Sequence, residues 1–392
     1  MSGRLPPWAV WQGDSEYTLG LEEEVMLLNP HDWSLAQQID RVLPRLPADF
    51  AEHVTRETHT SALELGTGVH ATARGIHDEL RALRMQLDHE LTPLGLRAGT
   101  SGTHPSTVWH ETVVSTGPRY EAVYGSMREL ARREPTFALH VHVGVRGPAE
   151  GIRLFNRMRT HLPLLLALSV NSPFWQGRDT GLASARTPLF QAFPRVGVPR
   201  AFVDYEAWVG AVDLLIRCDA FPEPTFLWWD VRPQPRFGTV EVRIMDAQTT
   251  TGEAAALAAL VQCIARLEVE EGYAPVELVA AQEALDENRF IAARDGMDAR
   301  LIDPIRSERV AVREQLERLL DACAPHARDL GCEAELAPIA AMAECTGARR
   351  QLAQARNGGR LQGLVETLSD RFLVDHQPSD DSDDGERAAL VS

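Results

Sequence analysis

Apolar and polar residues alternate in short runs through the first two-thirds of the chain. Alternation of period two marks strands with one covered face, and it predicts strands at about 17–28, 52–57, 62–66, 95–101, 137–145, 225–232 and 238–246. Between these runs the apolar spacing lengthens to the helical period and predicts helices over 72–91, 119–133, 149–170 and 204–217. From 252 onward the chain reads as almost wholly helical, rich in Ala, Leu, Glu and Arg, with Pro275 and Pro304 as breaks. The stretch from 376, "HQPSDDSDDGERAALVS", has little to bury and is expected to be an acidic disordered tail. Residues 1–375 are expected to form one domain.

The polar positions of three strands are unusual. In "YTLGLEEEVMLL" (17–28), Glu22 and Glu24 share one face with Gly20, while Glu23 falls among Leu21, Val25 and Leu27 on the other. The pair is about 7 Å apart along the strand, a spacing suited to neighbouring cations. Glu23, on the apolar side, is expected to find an arginine. In "FALHVHVGV" (137–145) the aliphatic residues line one face and His140 and His142 the other. In "GTVEVRIMD" (238–246), Thr239, Glu241 and Arg243 oppose Val240, Val242 and Ile244. A sheet with one solvated face would give alternation too, but such faces carry mixed Thr, Ser, Lys and Gln, whereas these carry almost only Glu, His and Arg.

"RETHTSALELGTG" (56–68) adds Glu57 and Glu64, whose odd spacing lets them share a face only if the strand is interrupted around "THTS". Glu22, Glu24, Glu57, Glu64, His140, His142 and Glu241 together make an oxygen-rich donor set with imidazole, the chemistry of magnesium or manganese rather than zinc. Ionised carboxylates in apolar surroundings cost several kcal/mol each, by order of magnitude, unless compensated. Cations provide that compensation and leave Arg243 for an anion. The aperiodic "NSPFWQGRDTGLASARTPLF" (171–190) reads as an ordered loop over the site, with Arg178 and Arg186 as candidates for a substrate carboxylate or phosphate. Arg232, beside Trp228 and Trp229 in "LWWDVRPQP", is a further anion candidate.

Composition narrows the chemistry. All 39 basic residues are arginine, so Schiff-base, Walker-type and carbamylated lysines are excluded. A net charge of −17 without basic runs argues against nucleic acid. The five cysteines lack paired spacing and are expected to be free thiols. With no signal-peptide pattern and no membrane-length apolar run, a soluble cytoplasmic protein is expected.

At these residues the sequence resembles the carboxylate–amine ligases of the glutamate–cysteine ligase type 2 group. The matching stretches are "LGLEEEVMLLNP", "ETHTSALELGT", "LHVHVGV", "NSPFWQGRDTGLASARTPLF", "LWWDVRPQPRFGTVEVRIMD" and "ENRFIAARDGMDA" (287–299). The resemblance implies an α+β, glutamine-synthetase-like catalytic domain with a curved, mainly antiparallel sheet in a half-barrel and helices packed on its convex side. It implies ATP as co-substrate, Mg2+ or Mn2+ as cofactor, L-glutamate as the activated carboxylate, and L-cysteine or another small amine as acceptor, with an acyl phosphate between them. It assigns Glu22, Glu24, Glu57, Glu64, His140 or His142, and Glu241 to metal and nucleotide and Arg243 to the phosphate; Arg243 and Glu241 are the expected catalytic residues, and Arg178, Arg186, Arg232 and Arg243 the expected substrate or ATP contacts. A homodimer is compatible with it; membranes and nucleic acids are not implied. The alternatives are a ligase of the same mechanism with another amine or carboxylate, and a metal-dependent hydrolase. The hydrolase is disfavoured because few histidines follow His142.

Overall fold

The computed structural model describes residues 5–13, 15–133, 135–358 and 360–374. The acidic stretch from 376 lies outside the described residues. Seven strands form one sheet and are numbered here in chain order: β1 Leu19–Leu28, β2 Val54–Arg56, β3 Ala62–Gly66, β4 Arg97–Gly99, β5 Ala138–Gly144, β6 Val231–Gln234 and β7 Thr239–Asp246. Their spatial order is β6-β7-β5-β1-β3-β2, every pairing is antiparallel, and β4 continues the β5 side of β1. The sheet ends on β6 and β2 and does not close into a barrel.

One face of this sheet is aliphatic. Leu19, Leu21, Val141, Val143, Val240 and Val242 are all buried in the principal core. Helices cover that face: α1 Ala73–Leu91, α2 Gly147–Met158, α3 Leu162–Ser169 and α4 Thr251–Glu270, each packed on sheet strands. The α4 helix starts in a capping box, in which the Thr250 hydroxyl accepts from Glu253 N while the Glu253 carboxylate accepts from Thr250 N. With these four helices drawn to one side by the aliphatic stripe, the opposite face is left to the charged side chains.

Glu23 has the partner expected of it. It is fully buried, and Arg84 of α1 donates to both its oxygens, through Nε at 2.9 Å and through Nη2. The same guanidinium donates to the carbonyls of Thr249, Gln248 and Phe372. One arginine therefore joins β1, the turn before α4 and the last described segment.

Two expectations need correcting. The helical run 149–170 is two helices, because Pro163 has no N–H to give to a residue one turn back and opens a new helix instead. The region after 252 is not wholly helical: Arg300–Asp303 and Glu308–Ala311 pair as an antiparallel hairpin with Pro304 in its turn. Pro325, in contrast, lies inside the helix α6, Val312–Leu330, without ending it. Among the described residues no helix is long and apolar enough to cross a membrane.

Candidate active site

The cross-strand register assembles the polar face. Glu22 lies opposite His140, Glu24 opposite Glu64, and His142 opposite Glu241, which in turn faces Arg232. Glu57 joins from the 57–61 connection between β2 and β3, so the interruption expected around "THTS" is a hairpin turn. Glu22, Glu24, Glu57, Glu64, His140 and Arg232 line a cleft of about 450 Å³ together with Arg186 and Arg243, while His142 and Glu241 are buried behind its wall. Arg178 is not among the lining residues; it is exposed, in a two-residue pairing with Trp175.

Among the described residues, three sets of donor atoms fall within 4.8 Å of one another: Glu22, Glu64 and His140; Glu22, His142 and Glu241; Glu24, Glu57 and Glu64. His140 Nδ1 lies 3.3 Å from Glu22 Oε2 and 3.8 Å from Glu64 Oε2, and His140 Nε2 lies 3.9 Å from Glu24 Oε1. His142 Nδ1 sits 3.0 Å from the Thr239 hydroxyl. Its Nε2 is buried without a hydrogen-bond partner among the described residues, 3.4 Å from Glu22 Oε1. An orphaned imidazole nitrogen among carboxylates is what a cation site looks like before the cation is counted.

The electrostatics point the same way. Burial, then the charges of Glu22, Glu57 and Glu24, hold the Glu64 carboxyl well above its ordinary range. Burial and Glu24 push Glu57 up to about 8. Burial, with the Arg243 charge, lowers His140 to about 4, leaving the neutral imidazole that ligates metal. Burial works against charge on His142 as well, but Glu22 and Glu241 outweigh it and raise its pKa. Burial likewise opposes charge on Glu22, and His142 and His140 overcome it, lowering the Glu22 pKa well below the usual value. Oxygen-rich donors with two imidazoles fit magnesium or manganese.

From this geometry we expect Glu64→Gln to stabilise the metal-free protein, by on the order of 1 kcal/mol, because it removes one of several facing carboxylates. The same change should abolish most of the stabilisation that added magnesium gives the parent. Thermal denaturation in EDTA and in magnesium reads both. A variant less stable than the parent in EDTA would mean that protein contacts, not a cation, are what the Glu64 carboxylate serves.

At the other end of the cleft an arginine pair holds Glu241. Arg232 reaches both its oxygens, at 3.0 and 3.2 Å, Arg243 Nη1 donates to Oε1, and Gln234 Nε2 donates to Oε2 at 2.9 Å. Burial would raise the Glu241 carboxyl, but these arginines hold it far below the ordinary range. Arg232 also donates to the carbonyls of Thr225 and Leu227, and Arg186 to those of Ile244 and Arg243. The side-chain hydrogen bonds Arg243 makes among the described residues all leave from Nη1. Arg232 is bound through Nε, Nη1 and Nη2, whereas Arg243 keeps its Nε and Nη2 donors and Arg186 its Nε.

Several lining residues had no sequence signal. Arg119 and Tyr120 come from the helix Pro118–Met127, and the Tyr120 hydroxyl donates to the Arg56 carbonyl. Trp228 and Phe237 form part of the wall. Gln234 was within reach of the same period-two argument as Glu241, since it shares a strand face with Arg232.

Residues 18–367 match glutamate–cysteine ligase family 2. The chain belongs to that family. A relative from Rubrobacter xylanophilus, provisionally named glutamate–cysteine ligase 2-1, is 41% identical over 340 residues, covering 86% of this chain and 90% of the relative. One from Sorangium cellulosum, provisionally named glutamate–cysteine ligase 2, is 36% identical over 363 residues, 91% of this chain and 96% of its own. Among solved structures, the glutamate–cysteine ligase of Francisella tularensis in complex with AMP superposes with a TM-score of 0.65 at 12% identity, over 94% of this chain and 91% of that one. The bifunctional glutathione synthetase of Pasteurella multocida gives 0.65 at 13%, over 91% of this chain and 52% of that one. At such identities the likeness is one of fold, and it is the glutamine-synthetase-like fold. Family membership makes the chain a carboxylate–amine ligase.

Proposed function

We propose that the chain uses ATP to activate the side-chain carboxylate of glutamate as an acyl phosphate and joins it to a small amine, with cysteine as the first candidate. The observation that carries this reading is the division of one sheet face into an acid cluster at β1, β3 and β5 and an arginine end at β6 and β7. Magnesium or manganese would be held by Glu22, Glu24, Glu57, Glu64, His140 and His142 and would supply positive charge at the phosphate oxygens.

The chain's own residues do the rest. Arg243 offers its remaining donors to the transferring phosphoryl group, whose negative charge spreads over its oxygens as the bond to ADP breaks. Glu241 and Arg232 keep the Arg243 side chain in one orientation, so no reorganisation is needed at that moment. The carboxylate oxygen of glutamate bonds to the γ-phosphorus and ADP leaves. The amine then attacks the acyl carbon, phosphate departs and the amine proton is lost.

An acyl phosphate is an electrophile open to any strong small nucleophile. Hydroxylamine supplied with glutamate, ATP and magnesium should therefore yield glutamyl hydroxamate with ADP and phosphate in equal amounts, whatever the native amine. The measurement is colorimetric for hydroxamate and coupled for ADP. Hydroxamate formed without ATP, or none formed from any candidate carboxylate by protein that binds magnesium and ATP, would refute the acyl-phosphate route.

A further inference from the structure

The motif "ENRFIAARDGMDA" and the Asp of "LWWDVRPQP" lie apart from the acid cluster, yet both bear on how Arg243 is aimed. Arg243 sits at a bulge: pairing of β7 with β5 slips between Val242 and Met245, so one extra residue is accommodated on β7. A bulge takes backbone groups out of the ladder, and they need other partners. On the β6 side, the Asp230 carbonyl accepts from Arg243 N at 2.8 Å. On the other, Arg186 donates to the Arg243 carbonyl at 3.2 Å and to the Ile244 carbonyl at 2.9 Å.

Asp230 is itself fixed from behind. Arg289, on the helix α5, Gln282–Asp295, donates through Nε to Asp230 Oδ2 at 2.5 Å and through Nη2 to Oδ1 at 3.2 Å. Its Nη1 donates to Gln191 Oε1 at 2.9 Å, and Asp230 N donates to the Gly197 carbonyl at 3.0 Å. Asp230 is 4% and Arg289 7% exposed. A buried ion pair is weak evidence for stability, since desolvation offsets the attraction. What a two-point fork does supply is a fixed orientation. Here the orientation passes one peptide along, to the carbonyl that receives the Arg243 N–H.

We propose that Asp230 and Arg289 are positioning residues for Arg243, holding the bulge so that its guanidinium meets the transferring phosphate. This rests on the reading of Arg243 given above. Displacements of about 1 Å at a reacting group can cost around a hundredfold in rate, so a backbone anchor one residue away is a sensitive place to act.

The test is a comparison of Asp230→Asn, Arg289→Gln and the double variant, each alone and with Arg243→Lys. Breaking the pair should lower kcat roughly tenfold or more while KM for ATP stays within about threefold. In the Arg243→Lys background the same change should cost less than about threefold, because the group it positions has gone. Equal losses in both backgrounds, or loss of KM with kcat intact, would overturn the proposal. The double variant leaves no unpaired buried charge and covers the case in which a single variant does not fold. Side-chain NMR of the arginine Nε–H groups, with the Arg243 signal assigned by its disappearance in Arg243→Lys, gives a readout free of activity. That signal should shift in Asp230→Asn; if it does not, the positioning role is wrong. If Arg243→Lys keeps normal turnover, the phosphate role fails, and the NMR result alone decides the positioning claim.

Discussion

Arg243→Lys lowers kcat about a hundredfold and changes nucleotide affinity by less than about threefold, as steady-state kinetics and equilibrium ATP binding will read. Lysine keeps a positive charge but places it at one point on a flexible stem. The fork that lets Nη1 bond Glu241 while other donors face the cleft is lost. An interaction made mainly with developing charge is missed in the transition state rather than the ground state, which is why the loss falls on kcat. Near-normal turnover would make Arg243 a structural counter-ion for Glu241, and a matching rise in KM would make it a ground-state binder.

Arg84→Met destabilises the fold by about 3–5 kcal/mol, the usual cost of stranding one member of a buried ion pair. Both Arg84 and Glu23 are fully buried, so the remaining carboxylate has no water to turn to. The carbonyls of Thr249 and Phe372 lose the Arg84 donor as well, while that of Gln248 keeps the Thr100 hydroxyl. Against a total stability of about 5–15 kcal/mol, such a loss is visible in urea titration at once. Arg84→Met combined with Glu23→Leu should recover much of it, since both charges then leave together. If the single variant unfolds at the parent's urea midpoint, the pair is not part of what holds β1 to α1.

The architecture was legible because the signals that carry it are local. The strand "FALHVHVGV" announces both faces by alternation alone, and the structure places Ala138–Gly144 within a residue of that reading. The polar face followed for the same reason, since Glu22, His140 and Glu241 are each fixed by parity along a strand. What parity cannot give is the order of strands, so nothing in the sequence says that Glu241 lies opposite His142 rather than Glu22. It also cannot say how many donors a side chain has left. Arg186 and Arg243 look equivalent as residues, but the first is spent largely on backbone carbonyls, a fact of the bulge and not of composition. Arg119 and Tyr120 enter the cleft from a helix whose apolar stripe is weak, and their spacing has no message. The hairpin 300–311 was missed because strong helix formers on either side set the expectation and tertiary pairing overrode it.

The three adjacent glutamates of β1 have a consequence for how errors are avoided as the chain folds. Because neighbouring side chains point to opposite sides, Glu23 belongs to the arginine under the sheet and Glu22 and Glu24 to the cleft above it. Shifting the strand by a single residue would turn both Glu22 and Glu24 under the sheet, where Arg84 can pair with only one of them and the other is stranded in hydrocarbon. Each misplaced charge costs several kcal/mol by order of magnitude, so the mispaired sheet is far less stable than the correct one. A strand of uniform leucines and valines would lack that discrimination. The residues proposed to gather the cations thus also act as a proofreading mark, rejecting wrong alignments before any ligand is present.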